Sequence, residues 1–199
     1  IVKRSTDYET WANVPIGSTA QWEHGAHTGG AFVLGDNSVG ASAVRRSIDG
    51  GLTWTSVPLS VGLQRQHLRG QASTFIYLPI GSTAAQRSTD AGATWGPIAT
   101  PSSPLNLWGV GINKWIFAAS SGGVSAQKIS LDNGSTWGAM GATPDNIKSA
   151  IGFKGIMVAT CAGAGTSIAY SENNGATWIE VPLPVACVNG MLLNIRGVL

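Results

Sequence analysis

Short runs of apolar residues recur along the chain and are separated by turn-forming residues. The runs fall into three sets. Each strongly apolar run is followed by a β-prone run and is preceded by a third run that begins further upstream. The apolar runs are 31–34, 75–78, 115–118 and 156–159, the β-prone runs are 42–46, 83–87, 125–129 and 166–170, and the upstream runs begin near His24, His67, Trp108 and Lys148. No segment keeps a helical spacing over two turns, so the pattern predicts an all-β chain.

One sequence pattern returns at a constant interval after the β-prone runs. Four full copies follow Ser-x-Asp-x-Gly-x-Thr-Trp closely, and a fifth is one residue shorter and lacks the Gly. In chain order they are box 1 at 5–11 (STDYETW), box 2 at 47–54 (SIDGGLTW), box 3 at 88–95 (STDAGATW), box 4 at 130–137 (SLDNGSTW) and box 5 at 171–178 (SENNGATW), with starts 41 or 42 residues apart. With the stretch after each Trp, every period holds four short strands, which is typical of a β-propeller blade.

The residue types of the box are those of a tight hairpin. A carboxylate can accept hydrogen bonds from the backbone N–H groups of its own turn, and Gly supplies a positive φ. The Trp then begins the next strand as an apolar anchor. We therefore assign structural roles to the third residue of each box, which is Asp7, Asp49, Asp90, Asp132 and Asn173. Asn173 carries no charge, and box 1 needs a different turn because it is shorter.

The pattern resembles the Asp-box, or BNR, repeat of sialidase-like β-propellers, and the resemblance covers essentially all 199 residues. It implies that each box lies in the hairpin between the third and fourth strands of a blade, on the side away from the ligand site. Propellers with this repeat include glycosidases, lectins, sorting receptors and assembly factors. The resemblance is therefore specific for the fold and says little about activity.

The two ends of the chain predict how the blades close. The first residues, 1–4, match the third-strand run before a box, and the last residues, 197–199, match the start of a second strand. Pairing the N- and C-terminal strands would give a closed ring of five four-stranded antiparallel blades in a single domain over residues 1–199. A closed ring removes the open sheet edges that invite aggregation. The alternatives are an open piece of a larger propeller and an excerpt of a longer chain.

Composition and charge limit the classes of partner that the chain is expected to bind. The chain carries 12 Lys and Arg against 10 Asp and Glu, and 11% of its residues are charged. A net charge of +2 without a basic cluster argues against nucleic acid as a partner. No apolar run reaches the roughly 20 residues of a membrane span. The β-rich, low-charge composition fits an extracellular or virion-surface protein, for instance a receptor-binding domain of a phage tail. Cys161 and Cys187 lie in neighbouring predicted blades and either form a disulfide or remain two buried thiols. The sequence does not indicate the oligomeric state.

Polar and aromatic residues gather at the predicted start of the innermost strands, at the rim opposite the boxes. Aligning the repeats gives two columns of candidate ligand-binding residues: Trp22, Arg65, Asn106 and Asn146, followed two positions later by His24, His67, Trp108 and Lys148. Such a mixture on a concave surface is typical of ligand sites. The alternative is that these side chains fill the space between blades.

The scarcity of acids argues for binding rather than catalysis. The resemblance implies that a sialidase would need an arginine cluster and a Tyr nucleophile. Arg65 and Arg69 could supply two of the arginines, but Tyr8, Tyr77 and Tyr170 lie in or before boxes or within a strand, which argues against this activity. Another glycosidase would need two carboxyl groups about 5–10 Å apart, and Glu23 and Asp145 are the rim candidates. No cofactor motif appears, and the spacing of His24 and His27 argues against a metal site. The sequence predicts a non-enzymatic module for a carbohydrate or another cell-surface ligand, with this glycosidase and a protein-docking scaffold as alternatives.

Overall fold

A computed structural model of the chain describes residues 2–17, 22–36, 41–63, 66–79, 84–100, 104–111, 113–119, 127–143, 145–161 and 167–183. The chain divides into two compact units, Ile1–Ala99 and Thr100–Leu199. Every regular element in the described residues is a β-strand, so the all-β prediction is confirmed. Among these residues there is no helix with the length and apolar character needed to cross a bilayer.

The first unit contains one two-stranded sheet and two four-stranded sheets. The two-stranded sheet pairs β1 (Val2–Arg4) with β2 (Ala12–Val14). The next sheet has β3 (Trp22–Thr28), β4 (Ala31–Asp36), β5 (Ala41–Ser47) and β6 (Thr55–Leu63), and the third has β7 (Gln66–Gln71), β8 (Thr74–Pro79), β9 (Ala84–Ser88) and β10 (Gly96–Ala99). All neighbours are antiparallel and consecutive in sequence.

The second unit repeats this arrangement in two four-stranded antiparallel sheets. The first has β11 (Pro104–Gly111), β12 (Lys114–Ala119), β13 (Lys128–Ser130) and β14 (Gly138–Ala139), and the second has β15 (Ile147–Phe153), β16 (Ile156–Cys161), β17 (Ser167–Ser171) and β18 (Ile179–Pro182). Four strands are therefore present in four of the five repeats, as predicted, and the described residues of the box 1 repeat form two. The strand pairing expected to close the ring involves residues 184–199, which lie outside the described residues. The closed five-bladed ring and the single domain stay predictions.

Each unit buries an apolar core between neighbouring four-stranded sheets. In the first unit Val33 and Val44 meet Leu68, Phe75 and Tyr77 from the next sheet. In the second unit the corresponding core is Trp108, Ile116, Ile129, Ile147 and Met157. A fully buried side chain of this size contributes about 1.5–3 kcal/mol. The same strands expose alternate residues, because side chains along a strand point to opposite faces.

The inner strands of the second unit approach so closely that only glycine fits at one position. A Cβ placed on Gly152 of β15 would lie 1.6 Å from the carbonyl oxygen of Val110 on β11. No side-chain rotation relieves that contact, since the backbone fixes the position of a Cβ and the oxygen belongs to the backbone. Gly152 therefore sets the distance between the two sheets.

Successive boxes of the first unit are joined by arginines. Arg4, directly before box 1, donates from Nε to the carbonyl oxygen of Gly50 in box 2 at 2.7 Å. Arg46, directly before box 2, donates in the same way to Ala91 of box 3 at 2.7 Å. Gly50 and Ala91 are both the fourth residue of their boxes. In the second unit Ile129 precedes box 4 and packs beside Gly175 of box 5, so an apolar contact replaces the hydrogen bond.

Candidate functional site

Each four-stranded sheet has two distinct ends. The box end carries the hairpin between the third and fourth strands, and all four full boxes lie there, as the resemblance implies. Box 1 joins β1 to β2 in the same manner. The opposite end, here called the rim end, carries the start of the first strand and the end of the second.

Boxes 2 to 4 share one hydrogen-bond pattern, seen in box 3. Ser88 Oγ donates to Asp90 Oδ1 at 2.7 Å and accepts from the Gly92 amide at 2.8 Å. Thr94 donates from its amide to Oδ1 at 2.9 Å and from Oγ1 to Oδ2 at 2.6 Å. Ala91 and Gly92 both have positive φ, 57° and 81°, where a glycine is favoured. The carboxylate therefore closes the hairpin.

These bonds lower the pKa of the box carboxyl groups. Burial alone would raise the pKa of Asp90 and Asp132, but the side-chain and backbone hydrogen bonds of Thr94 and Thr136, respectively, outweigh it and lower both values to about 2. Thr10 and Thr53, through the same bonds, hold the pKa of Asp7 and Asp49 well below the usual range. The acids of boxes 1 to 4 are thus ionised turn acceptors rather than candidate proton donors.

Box 1 reaches the same hydrogen bonds with a shorter turn, as predicted. Tyr8, with a φ of 64°, is its only residue in the left-handed region. The Tyr8 amide donates to Ser5 Oγ at 2.8 Å, and Thr10 donates to both carboxylate oxygens of Asp7 at 2.8 and 2.6 Å. The turn is one residue tighter, yet the carboxylate keeps its role.

The prediction of an apolar anchor holds for some box tryptophans and is wrong for one. Trp95 packs on Phe75 and Tyr77 of its own sheet, with ring centroids 6.4 and 6.2 Å away. Trp11 of box 1 is 56% exposed. The residues that cover Trp95 lie on β8, the second of four strands. In the part of the chain that the structure describes, the sheet of box 1 contains only β1 and β2 and has no strand equivalent to β8.

At the rim end of the first unit the structure brings two predicted residues together. His24 on β3 and His67 on β7 lie with ring centroids 5.8 Å apart, and both are half-buried. Trp22 begins β3 beside them, and its Nε1 is buried without a hydrogen-bond partner among the described residues. Arg65, the fourth candidate here, lies outside the described residues. Arg69 on β7 is half-buried, and burial lowers the pKa of its guanidinium.

At the rim end of the second unit the candidates belong to a polar network. Asn146 Oδ1 accepts a 3.4 Å hydrogen bond from Gln127 Nε2, and the Asn146 amide donates to Asp145 Oδ1 at 2.6 Å. Thr143 Oγ1 donates to the Asp145 carbonyl at 2.8 Å. Gln127 is only 3% exposed. Asn146 and Lys148 are exposed, so the network holds Asn146 at the surface.

The strand register corrects the predicted alignment of the two units. His24 and His67 pair with Gly35 and Leu78, each the fifth residue of its second strand. In the second unit the fifth residues of the second strands are Ala118 and Thr160. They pair with Asn106 and Ser149, which are therefore the residues equivalent to the two histidines. A β-bulge between Gly109 and Gly111 shifts the register of β11 by one position, which sequence spacing does not reveal. In β15 the register is unbroken from the hairpin to Ser149, so there the repeat alignment itself was one position off.

Trp108 and Lys148 are therefore not level with the histidines. Trp108 lies further along β11, in the core of the second unit, and is 9% exposed. Lys148 is the extra residue of the β15 bulge. The burial of Trp108 favours the packing alternative for this residue.

The structure gives no distance between the carboxyl groups of Glu23 and Asp145, the two residues considered for catalysis. Glu23 lies in β3 of the first unit, its side chain is outside the described part of the chain, and Asp145 belongs to the second unit. In the described ranges no three His, Cys, Asp or Glu side chains gather as possible metal ligands. Cys161 is a half-buried thiol whose pKa is raised by burial, and Cys187 lies outside the described residues.

No protein-family model matches the sequence. No curated protein matches it either.

Solved structures do resemble the chain. A structure of YCF48 bound to D1 peptide is 18% identical over 90% of this chain, with a TM-score of 0.56. YCF48 from Cyanidioschyzon merolae is 16% identical over 94%, at 0.60, and the Niastella koreensis GH74 enzyme is 19% identical over 88%, at 0.62. The chain spans 60%, 63% and 26% of those chains, respectively. All three are β-propeller proteins, and at these identities the likeness shows the propeller fold alone.

Proposed function

We propose that the chain is a non-enzymatic binding module that takes a carbohydrate or another cell-surface ligand at the rim end of its sheets. The observation that carries the proposal is the contact of His24 and His67, two half-buried polar rings from neighbouring inner strands. Two residues before His24 on the same strand, Trp22 has a buried Nε1 without a hydrogen-bond partner in the part of the chain that the structure describes. Aromatic faces and hydrogen-bonding groups together are what sugar rings require.

Electrostatics supports binding over hydrolysis. Four of the ten acids are tied into box turns with lowered pKa values, so they do not serve as a protonated general acid. Asp145, one of the two runner-up catalytic residues, accepts a hydrogen bond from the next backbone amide. The low charge of the chain is the basis for placing the module outside the cell or on a virion surface.

A second candidate is docking of an extended peptide. The structural neighbour YCF48 is seen bound to D1 peptide, which motivates a protein-docking role for a propeller of this kind. The two proposals differ in ligand and agree on the rim end as the first place to test.

The test is a glycan array and a peptide array probed with the wild-type chain, His24→Ala and His27→Ala. His27 is the matched control, because it lies on the same strand near the box end and packs on Phe32 with ring centroids 4.2 Å apart. We expect His24→Ala to lower the binding signal at least tenfold and His27→Ala to leave it unchanged.

Each array result has a distinct meaning. Glycans that are bound and then cleaved would favour a glycosidase using Glu23 and Asp145. Binding confined to peptides would favour the docking role. Binding that survives in His24→Ala would refute the rim-end site.

A further inference from the structure

A four-residue motif, Arg-Ser-Thr-Asp, occurs at the start of two boxes and not in the other three. It occupies residues 4–7 and 87–90, whereas box 2 has Arg-Ser-Ile-Asp at 46–49. The hairpin of box 2 has the same hydrogen bonds from Ser47 and Thr53 to Asp49. The Thr at the second box position is therefore not needed to close the turn.

Each copy of this motif borders a cleft on the surface of its hairpin. The cleft at box 1 is about 240 Å³ and the cleft at box 3 is about 230 Å³. Four positions line both: the Arg before the box, the Thr at its second position, the Thr before the Trp and the residue after the Trp. These residues are Arg4, Thr6, Thr10 and Ala12 in one cleft and Arg87, Thr89, Thr94 and Gly96 in the other. Both clefts belong to the first unit.

The hydrogen-bonding groups in the clefts define what a ligand must offer. Arg4 is held by its Nε bond to Gly50, which leaves its terminal nitrogens as cationic donors. Thr10 and Thr94 give their hydroxyl protons to Asp7 and Asp90 at 2.6 Å, so they present only lone pairs to the cleft. The side chains of Thr6 and Thr89 make no hydrogen bond to other described residues. A matching ligand needs an anionic group for Arg and a hydroxyl proton for Thr.

We propose that the two clefts are equivalent secondary sites for an acidic sugar residue, with a hexuronate as the simplest example. Its carboxylate would pair with Arg4 or Arg87, and a ring hydroxyl would donate to Thr10 or Thr94. The clefts are smaller than the roughly 300–1,000 Å³ of sites for drug-sized ligands, which suits a single ring. Trp11 in one cleft, and Pro97 with Ile98 in the other, supply an apolar wall.

The neighbouring carboxylates are compatible with an anion. Asp7 and Asp90 turn their oxygens into their own hairpins, where Ser, Thr and backbone donors surround them. Two weak equivalent sites in one unit would bind a polyuronate more tightly than a single uronate, because the second contact is intramolecular.

The test is an NMR titration of the isotopically labelled full chain with D-glucuronate, D-glucose and acetate. We expect saturable shifts of amides in boxes 1 and 3 with glucuronate, and at least tenfold weaker responses to glucose and acetate. Thr6→Ile and Thr89→Ile introduce the residue that box 2 already tolerates, and each should remove the shifts of its own box. Ile48→Thr completes the motif in box 2 and should add shifts there.

Several results would overturn the proposal. Equal responses to acetate and glucuronate would reduce the clefts to adventitious anion sites. Shifts that persist in Thr6→Ile and Thr89→Ile, or their absence with glucuronate, would reject the sites outright. His24→Ala, the variant for the rim end, should leave the box shifts unchanged, so failure of the rim-end site and failure of the clefts remain distinguishable.

Discussion

In box 5, Asn173 donates from Nδ2 to Thr177 Oγ1 at 2.8 Å. In the other full boxes the threonine hydroxyl is the donor and the aspartate is the acceptor, as for Thr136 and Asp132 at 2.5 Å. The direction of one hydrogen bond is reversed, while Asn173 Oδ1 still accepts from Ser171 and from the Thr177 amide at 3.0 and 2.9 Å. The hairpin therefore keeps its geometry without a charge.

Restoring the carboxylate should stabilise box 5. Asn173→Asp would create charge-assisted hydrogen bonds, which are stronger than neutral ones, and Lys114, which donates to Asn174, would add a nearby cation. We expect a gain of about 0.5–1 kcal/mol at pH 7, because the site is exposed and solvent screens it. Urea unfolding of the wild type and Asn173→Asp measures it.

The pH dependence of that gain follows from the sign of the shift. The pKa of Asp132, the equivalent residue, is lowered to about 2 in the folded state from an ordinary 3.8. A carboxyl group with a lowered pKa stabilises the fold above the ordinary value, and that contribution disappears as pH falls from about 4 towards 2. The curves of Asn173→Asp and wild type should converge over this range. A gain that persists at pH 2 would contradict the carboxylate as its source.

The stability of a Trp108 variant distinguishes a packing role from a ligand-binding role for this residue. Because it is 9% exposed in the core of the second unit, Trp108→Ala should cost about 3–5 kcal/mol of unfolding free energy. Trp11→Ala is the control, since Trp11 is 56% exposed, and it should cost less than about 1 kcal/mol. Chemical unfolding measures both. A Trp108→Ala protein of wild-type stability would return this residue to the list of ligand contacts.

Gly152 should tolerate no larger residue. Gly152→Ala places a methyl group where the Val110 carbonyl oxygen lies, so the inner strands must separate and the loss should exceed about 2 kcal/mol. Gly138 in the same unit has 4.0 Å to the nearest such atom. Gly138→Ala is therefore a matched control, and its Tm should stay close to that of the wild type. Equal melting temperatures for the two variants would show that the close approach is not required.

The sequence predicts the strands and the box hairpins because they depend on local chemistry. A Ser, an Asp and a Thr at the same spacing close the same turn in boxes 2 to 4, and Asn173 shows how little the turn depends on charge. The level of residues on neighbouring inner strands depends instead on bulges such as that between Gly109 and Gly111, which arise from tertiary packing. This bulge accounts for one of the two positions that separate Trp108 from Asn106, the residue level with His24 and His67, and the other is a misalignment of the repeats.

The contact of His24 with His67 was within reach of the sequence, since both lie near the start of corresponding inner strands. The clefts at boxes 1 and 3 were not. Their recognition requires knowing that Thr10 and Thr94 donate their hydroxyl protons to aspartates. It also requires knowing that the Thr6 and Thr89 side chains have no hydrogen-bond partner among the described residues, and both facts follow only from atomic positions.

The arginines that join successive boxes define how repeats can be rearranged by design. Arg4 reaches Gly50, and Arg46 reaches Ala91, through a backbone carbonyl that every residue type possesses. The recognised group does not depend on the side chain of the receiving box. To form this joint, an inserted or shuffled repeat would need an arginine before its own box and a following hairpin of standard length, in addition to the apolar core that it shares with its neighbours. The two arginine hydrogen bonds are equivalent, so the repeats of the first unit are suited to extension by design.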